Sequence, residues 1–277
     1  MTDSFPAPGQ EPASPELDTS VPHSARIWNY WVGGKDYYPV DREVGDEIAK
    51  MFPSIVAMAR HDRAFLVRAV RYLAGEVGIR QFLDIGTGLP TMDNTHEVAQ
   101  RVAPDSRIVY VDNDPLVLTH ARALLTSAPQ GACDYIDADL HEPDRILEAA
   151  SRTLDFSQPV ALMLVAILLH ITSDEEAYAI VRRLVDALAP GSYVVIVHDT
   201  ADIHGEEIRT AMQYFMDQGG EPLVARSREQ ITRFFDGLEL VEPGLVTTSE
   251  WRPEPKPFGE AEETEEVAQY AGVARKP

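Results

Sequence analysis

From Gln81 onward, short apolar runs alternate with stretches of helical periodicity. QFLDIG, RIVYVDN, CDYIDA, VALMLVAIL and SYVVIVHD read as successive strands, because each is brief and rich in β-branched or aromatic residues. Between them the helices announce themselves. Asp114 and Pro115 supply an N-cap and a first-turn proline, and Val117, Ala121, Leu124 and Leu125 follow on one face. Ser173 and Glu176 form a capping box ahead of the stripe Ala177, Ile180, Val181, Leu184, Val185 and Leu188, which Pro190 and Gly191 end. HEVAQRV is another helix, and further ones are expected over Glu206 to Asp217 and from Ser227. LELVEPGLVTTSEW then reads as a sixth strand kinked at Pro243 and Gly244, and a last strand falls within VAQYAGVARK. Strands alternating with helices in this way predict a mostly parallel α/β sheet.

The chain before Gln81 has a different pattern. Ile27, Tyr30 and Trp31 share one helical face, and Gly33 and Gly34 suit its C-terminal stop. A longer helix is expected from about Asp62 to Glu76, burying Phe65, Leu66, Ala69, Val70 and Leu73. Residues 21–80 therefore form an N-terminal helical segment, and residues 81–277 the α/β domain. Residues 1–20 are rich in proline, serine and acids and read as a disordered tail, while residues 253–266 read as a mobile acidic connection.

Composition narrows the function. The chain has 277 residues, 24 Lys and Arg against 45 Asp and Glu, and a formal charge of -21. Such a balance repels phosphate backbones and anionic lipid, so neither nucleic acid nor membrane is an expected partner. Cys133 is the single cysteine, which excludes an internal disulfide and a cysteine-cluster metal site; no metal is expected. No basic and apolar leader opens the sequence and no apolar run is long enough to span a bilayer, so a cytoplasmic location is expected.

The most informative segment is FLDIGTGLPT, an apolar strand ending at Asp84 and followed by Gly86, Thr87 and Gly88. Glycines there allow a tight turn and close approach of a ligand to backbone N–H groups. Asp112 and Asn113 end the next strand, where a carboxylate can accept hydrogen bonds from both hydroxyls of a ribose. Asp139 and Leu140 end the third, suited to an adenine amine and its ring. Asp114 is better explained as a helix cap, and Asp137 as structural. The pattern suits an adenosyl ligand. A nicotinamide dehydrogenase shares the first two features, but it needs a small third glycine-loop residue and a second nucleotide half. Thr91 occupies that loop position after Pro90, so S-adenosylmethionine is the expected cofactor and an NAD-dependent oxidoreductase the lesser reading.

At these residues the sequence resembles the class I methyltransferases, with DIGTG as the glycine motif, YVDND as the ribose motif, DADL as the adenine motif and ALAPGSYVVIVHD as a later strand. ILLHITSDEEAYAIVRRLVDALAPG is similar to the corresponding stretch of small-molecule O-methyltransferases. PHSARIWNYWVGGKDYYPVDRE and FLDIGTGLPTMDNTHEVAQ resemble more closely an actinobacterial S-adenosyl methyltransferase family long classed as a domain of unknown function, and that resemblance runs from about Pro22 to the C-terminus. It implies a Rossmann-like fold with helices on both faces of a seven-stranded sheet in the order 3-2-1-4-5-7-6, and the cofactor, without naming an acceptor. Pro90 stands where many methyltransferases carry another glycine.

Direct methyl transfer requires alignment more than a reactive side chain, and a base only where the acceptor must lose a proton. His170 and His198 follow the fourth and fifth strands and are the candidate bases, with Asp199 beside the second. The N-terminal segment is expected either to close over the crevice as a lid or to serve as a simple apolar anchor. As a lid it would offer Arg26 or Lys35 to the methionine carboxylate. Trp28, Tyr30, Trp31, Tyr37, Tyr38 and His204 would then shape the pocket of a small-molecule acceptor. A protein that binds the cofactor as a sensor without transferring its methyl group fits the same loops.

Overall fold

The computed structural model describes residues 18–117, 119, 127–253 and 266–277. Helices α1 (Ser24–Trp31), α2 (Pro39–Met51) and α3 (Ile55–Arg71) precede the sheet, α3 continuing through a π-helical turn at Tyr72–Val77. The α/β part runs β1 (Gln81–Ile85), α4 (Thr95–Val102), β2 (Arg107–Asp112), β3 (Ala132–Asp137), α5 (Pro143–Ala150), β4 (Ala161–Val165), α6 (Asp174–Asp186) and β5 (Tyr193–Asp199). It ends with α7 (Gly205–Asp217), α8 (Arg228–Thr232), β6 (Glu239–Leu240), β7 (Val246–Thr247) and β8 (Gln269–Arg275). Among the described residues no helix is long and apolar enough to cross a membrane.

The sheet order is β3-β2-β1-β4-β5-β8-β6, with β7 also paired to β8. Strands β1 to β5 pair in parallel, and β8 runs antiparallel to β5, His198 lying opposite Tyr270. This is the expected order with one refinement. The single kinked sixth strand is two short pieces, β6 and β7, separated by Pro243 and Gly244 and both laid against β8. Ala121, Leu124 and Leu125, the tail over residues 1–17 and most of the acidic connection lie outside the described residues. Leu116 and Val117 are buried, and Asp114 Oδ1 accepts from the Leu116 N–H at 2.8 Å, as an N-cap does.

Side-chain alternation along the strands builds two cores. Leu83, Ile85, Val109, Val111, Leu162, Leu164, Val194 and Ile196 point to the face covered by α5 and α6. Phe82, Ile108, Tyr110, Ala161, Met163, Val195 and Val197 point to the other, covered by α3, α4 and Trp251. Strands covered on both faces read as unbroken apolar runs, which is why the sequence marks them clearly. A third core joins Ile27, Trp31, Val44, Ile48, Phe52, Ile55 and Met58 of the N-terminal helices to Ile208, Ala211, Met212 and Phe215 of α7.

Helix α3 begins at Ile55 rather than near Asp62. Its first turns face the third core and its later turns the sheet, so the apolar stripe changes partner midway. Asp62 interrupts the stripe at that crossing and resembles a helix start, although it is buried inside the helix.

Phe65 has no exposed surface and meets Trp251 edge-on with ring centroids 5.3 Å apart. Phe65→Ala is expected to cost about 3–5 kcal/mol through lost burial and a residual cavity. Urea unfolding followed by circular dichroism measures it, and a loss under about 1 kcal/mol would mean that the ring is not packed as described.

Candidate functional site

The glycine loop leaves the C-terminal end of β1. Gly86 has φ +76, and a Cβ added there would lie 2.4 Å from Ile167 of the loop after β4. Both steric facts require glycine, and together they let the backbone turn tightly against its neighbour. Asp112, half-buried at the end of β2, uses one oxygen to accept from the Gly88 N–H at 2.8 Å and the other from the Asp114 N–H at 3.0 Å. Burial raises its pKa, opposed by these bonds. Asp139 follows β3 and accepts from Asn113 at 3.1 Å and from the His141 backbone N–H at 2.9 Å. Partial burial pushes its pKa up, but the His141 and Asn113 bonds hold it below the usual carboxylate value. Asp84 is turned inward, accepting from Thr95 Oγ at 2.6 Å, and burial raises its pKa to about 6.

These groups open on one cavity of about 990 Å³. Asp84, Gly86, Thr87, Gly88, Asp112, Asn113, Asp139 and Leu140 all line it, as do Arg26 and His170. Helix α1 forms one wall with Ala25, Ile27, Trp28 and Trp31, and α7 another with Ile208, Ala211, Met212 and Phe215. The alternatives of lid and anchor are therefore not exclusive, since Ile27 and Trp31 serve the third core and the cavity wall together.

Other expected residues stand elsewhere. Lys35 is exposed in the turn after α1 and does not line the cavity. Tyr37 packs on Tyr30 with centroids 4.9 Å apart, Tyr38 lies under the Arg26 guanidinium, and His204 pairs with Glu207 at the start of α7; none of the three lines the cavity. His198 is fully buried away from it. Arg226 donates to His198 Nε2 at 2.8 Å, so the ring proton sits on Nδ1 and is given to the Asp199 carbonyl at 2.8 Å. Burial lowers its pKa to about 3. A neutral ring closed in on both sides braces the β5 end and has no route to an acceptor. Arg26 reaches the cavity with its guanidinium committed to Asp41 and to the Val21 carbonyl.

Several lining residues were not singled out from the sequence. Asp62 and Arg63 come from the middle of α3, Asn29 from α1, and Glu221 from the segment after α7. Arg63 also donates to the Met92 carbonyl and to Asn94 beyond the glycine loop. His23 places Nε2 2.9 Å from Glu221 and Nδ1 3.3 Å from Asp114, linking three parts of the rim. Only Asp62 left a trace in the pattern, as a polar residue breaking an apolar stripe.

The sequence profile of a family described as S-adenosyl methyltransferase matches residues 10–277. The chain is similar to the crystal structure of a DUF574 family protein from Streptomyces avermitilis, with 45% identity, 94% of this chain and 99% of that one covered, and a TM-score of 0.89. A candidate methyltransferase from Thermobifida fusca is 44% identical, with 95% and 97% covered and a TM-score of 0.84. The plantazolicin methyltransferase BamL, 13% identical with 91% of this chain and 95% of that one covered, has the same fold at a TM-score of 0.51. No curated protein matches the chain.

Burial, reinforced by the nearby Asp199 charge, raises Asp62 to about 8 from an ordinary 3.8, and burial raises Asp199 to about 6. The folded chain thus keeps protons that the unfolded chain releases, and stability falls as pH rises from about 4 towards about 8. Asp62→Asn removes the largest part of that loss. Its melting temperature relative to the unaltered chain is expected to be higher near pH 8 than near pH 5, and an equal difference at both pH values would contradict the buried, proton-holding state.

Proposed function

The chain belongs to the S-adenosyl methyltransferase family, and on that premise we propose that it passes the methyl group of S-adenosylmethionine directly to a small-molecule acceptor held in the same cavity. The observation that carries this reading is the continuity of the space. The carboxylate-bearing ends of β1, β2 and β3 and the apolar walls beyond β4 line one volume of about 990 Å³, at the upper end of the range for small-ligand sites. The fit to the cofactor rests on Gly86, whose missing Cβ leaves the loop pressed on Ile167, and on the fixed orientation of the Asp112 carboxylate.

When bound, the cofactor supplies an electrophilic methyl group on a positively charged sulfur. Asp112 would receive the ribose hydroxyls, Asp139 and Leu140 would meet the adenine, and the Gly86–Gly88 backbone would face the methionine portion. Arg63, which lines the cavity beside that loop, suits the cofactor carboxylate better than Arg26 or Lys35. Burial lowers the His170 pKa, so near neutral pH its imidazole is unprotonated and free to accept a proton. Helices α1 and α7 exclude water and hold the acceptor in line, the main requirement of the reaction. The acidic charge of the chain and the enclosed walls favour a small acceptor over a nucleic acid.

Calorimetry with S-adenosylmethionine and with NAD tests the cofactor, and binding of NAD alone would sink the proposal. Asp112→Ala is expected to weaken S-adenosylmethionine binding about tenfold or more, the scale of one lost hydrogen bond to a charged group. Unchanged affinity would remove the ribose assignment. Incubating the protein with labelled cofactor and a metabolite extract then reports transfer as a new methylated mass, whereas binding without any product would favour a sensor.

A further inference from the structure

Beyond the ends of β4 and β5 the cavity becomes apolar, walled by Ile27, Trp31, Phe52, Ile208, Met212 and Phe215. Two carboxylates interrupt these walls. Asp62 of α3 is 4% exposed, and Asp199 at the end of β5 is 6% exposed. Gln269 holds one Asp199 oxygen at 2.8 Å, while Asp62 Oδ1 has no hydrogen-bond partner among the described residues. Asn29, 2% exposed and also lining the space, has its oxygen fixed by the Asp36 N–H at 3.1 Å and its amide nitrogen without a partner. Unmet polar atoms at such depth are strongly unfavourable unless a ligand meets them.

We propose that Asp62 and Asp199 form the acceptor subsite and that the acceptor is an amine carried on an apolar body. Near neutral pH Asp199 carries the charge and Asp62 its proton; an ammonium brings several hydrogen donors and a positive charge that let Asp62 ionise as well, and a neutral hydroxyl does not. Trp31, Phe52 and Phe215 line the same space, and aromatic rings beside an ammonium suit it better than a neutral group. The cofactor has an ammonium group of its own, but its expected position is by the glycine loop. In the order β1-β4-β5, Asp199 is two strands from that loop, about 10 Å at ordinary strand spacing. Asp62 feels the charge of Asp199, and Asp84 that of Asp112, with Arg63 acting on both Asp62 and Asp84.

This inference rests on the methyl-transfer reading. For an acceptor seated on this pair the base is Asp199 rather than His170: the ammonium gives one proton to the Asp199 carboxylate, leaving a neutral amine and a carboxylic acid. The nitrogen lone pair then forms a bond to the methyl carbon as the carbon–sulfur bond breaks and its electron pair stays on sulfur. The product leaves as a methylated ammonium, and Asp199 returns its proton to water.

The test uses the full chain saturated with S-adenosylhomocysteine, and calorimetry with phenethylamine and its neutral counterpart 2-phenylethanol. Phenethylamine is expected to bind about tenfold tighter or more. Asp62→Asn and Asp199→Asn should each reduce that preference and together erase it, with S-adenosylhomocysteine affinity unchanged. Equal affinity for the two probes, binding of neither, or a preference that survives the double variant overturns the proposal. So does a tenfold loss of S-adenosylhomocysteine affinity in variants that still melt cooperatively, because the carboxylates would then serve the cofactor's own ammonium. If a variant does not melt cooperatively, the comparison of the two probes on the unaltered chain decides. An unaltered chain that binds no S-adenosylhomocysteine fails earlier and takes the methyl-transfer reading with it.

Discussion

Parallel pairing at the centre of the sheet makes β1 to β5 end along a single edge, and the arrangement of the cavity follows from that constraint. Asp112 stands at the end of β2 and Asp84 one residue before the end of β1, with Asp139 and Asp199 at or just past the ends of β3 and β5. Side chains far apart in the sequence are thereby set in a row at strand spacing. Two hydrogen bonds, from the Gly86 N–H to the Val111 carbonyl and from the Gly88 N–H to the Asp112 carboxylate, each 2.8 Å, lock the loop after β1 to the end of β2. Together they fix the height of the glycine loop above the sheet.

A row of acids beneath apolar walls is electrostatically costly. The protein answers that cost differently along the edge. Asp139, the most exposed of the set, is stabilised as a carboxylate by Asn113 and His141. Asp84 is met by Thr95 and Asp199 by Gln269, yet burial still raises both to about 6. Asp62 has the least compensation and retains its proton to about pH 8. The end of the cavity at β2 and β3 thus holds carboxylates already met by hydrogen-bond donors, whereas the far end holds acids with few partners.

The sheet and the glycine-loop end of the cavity were legible in the sequence because each rests on local pattern. Apolar runs mark strands covered on both faces, and DIGTG with its downstream acids needs only a strand end to be placed. The far end was not legible, since Asp62, Asn29 and Glu221 come from three separate helices or loops and meet only through the third core. Asp62 looked like a helix start because α3 changes partner there. His198 misled in the opposite way. Its position at the end of β5 is that of a site residue, but Arg226, distant in sequence, occupies its Nε2 and seals it. Tyr37 and Tyr38 follow the glycines where a pocket role was natural, yet Tyr38 caps α2 and Tyr37 covers Tyr30.

Helix α1 joins the two ends of the cavity, and its cap residue shows how. His23 Nδ1 is 3.3 Å from the Ala25 N–H and 3.3 Å from Asp114 Oδ2, while Nε2 is 2.9 Å from Glu221. In the neutral ring Nδ1 accepts from Ala25 and caps the helix, and Nε2 donates to Glu221. When protonated, Nδ1 becomes a donor and turns to Asp114. Burial draws its pKa down, but Glu221 and Asp114 more than offset this and raise it above 6.5. The same helix that anchors Ile27 and Trp31 in the core therefore carries, at its N-cap, a histidine within reach of both the end of β2 and the segment after α7.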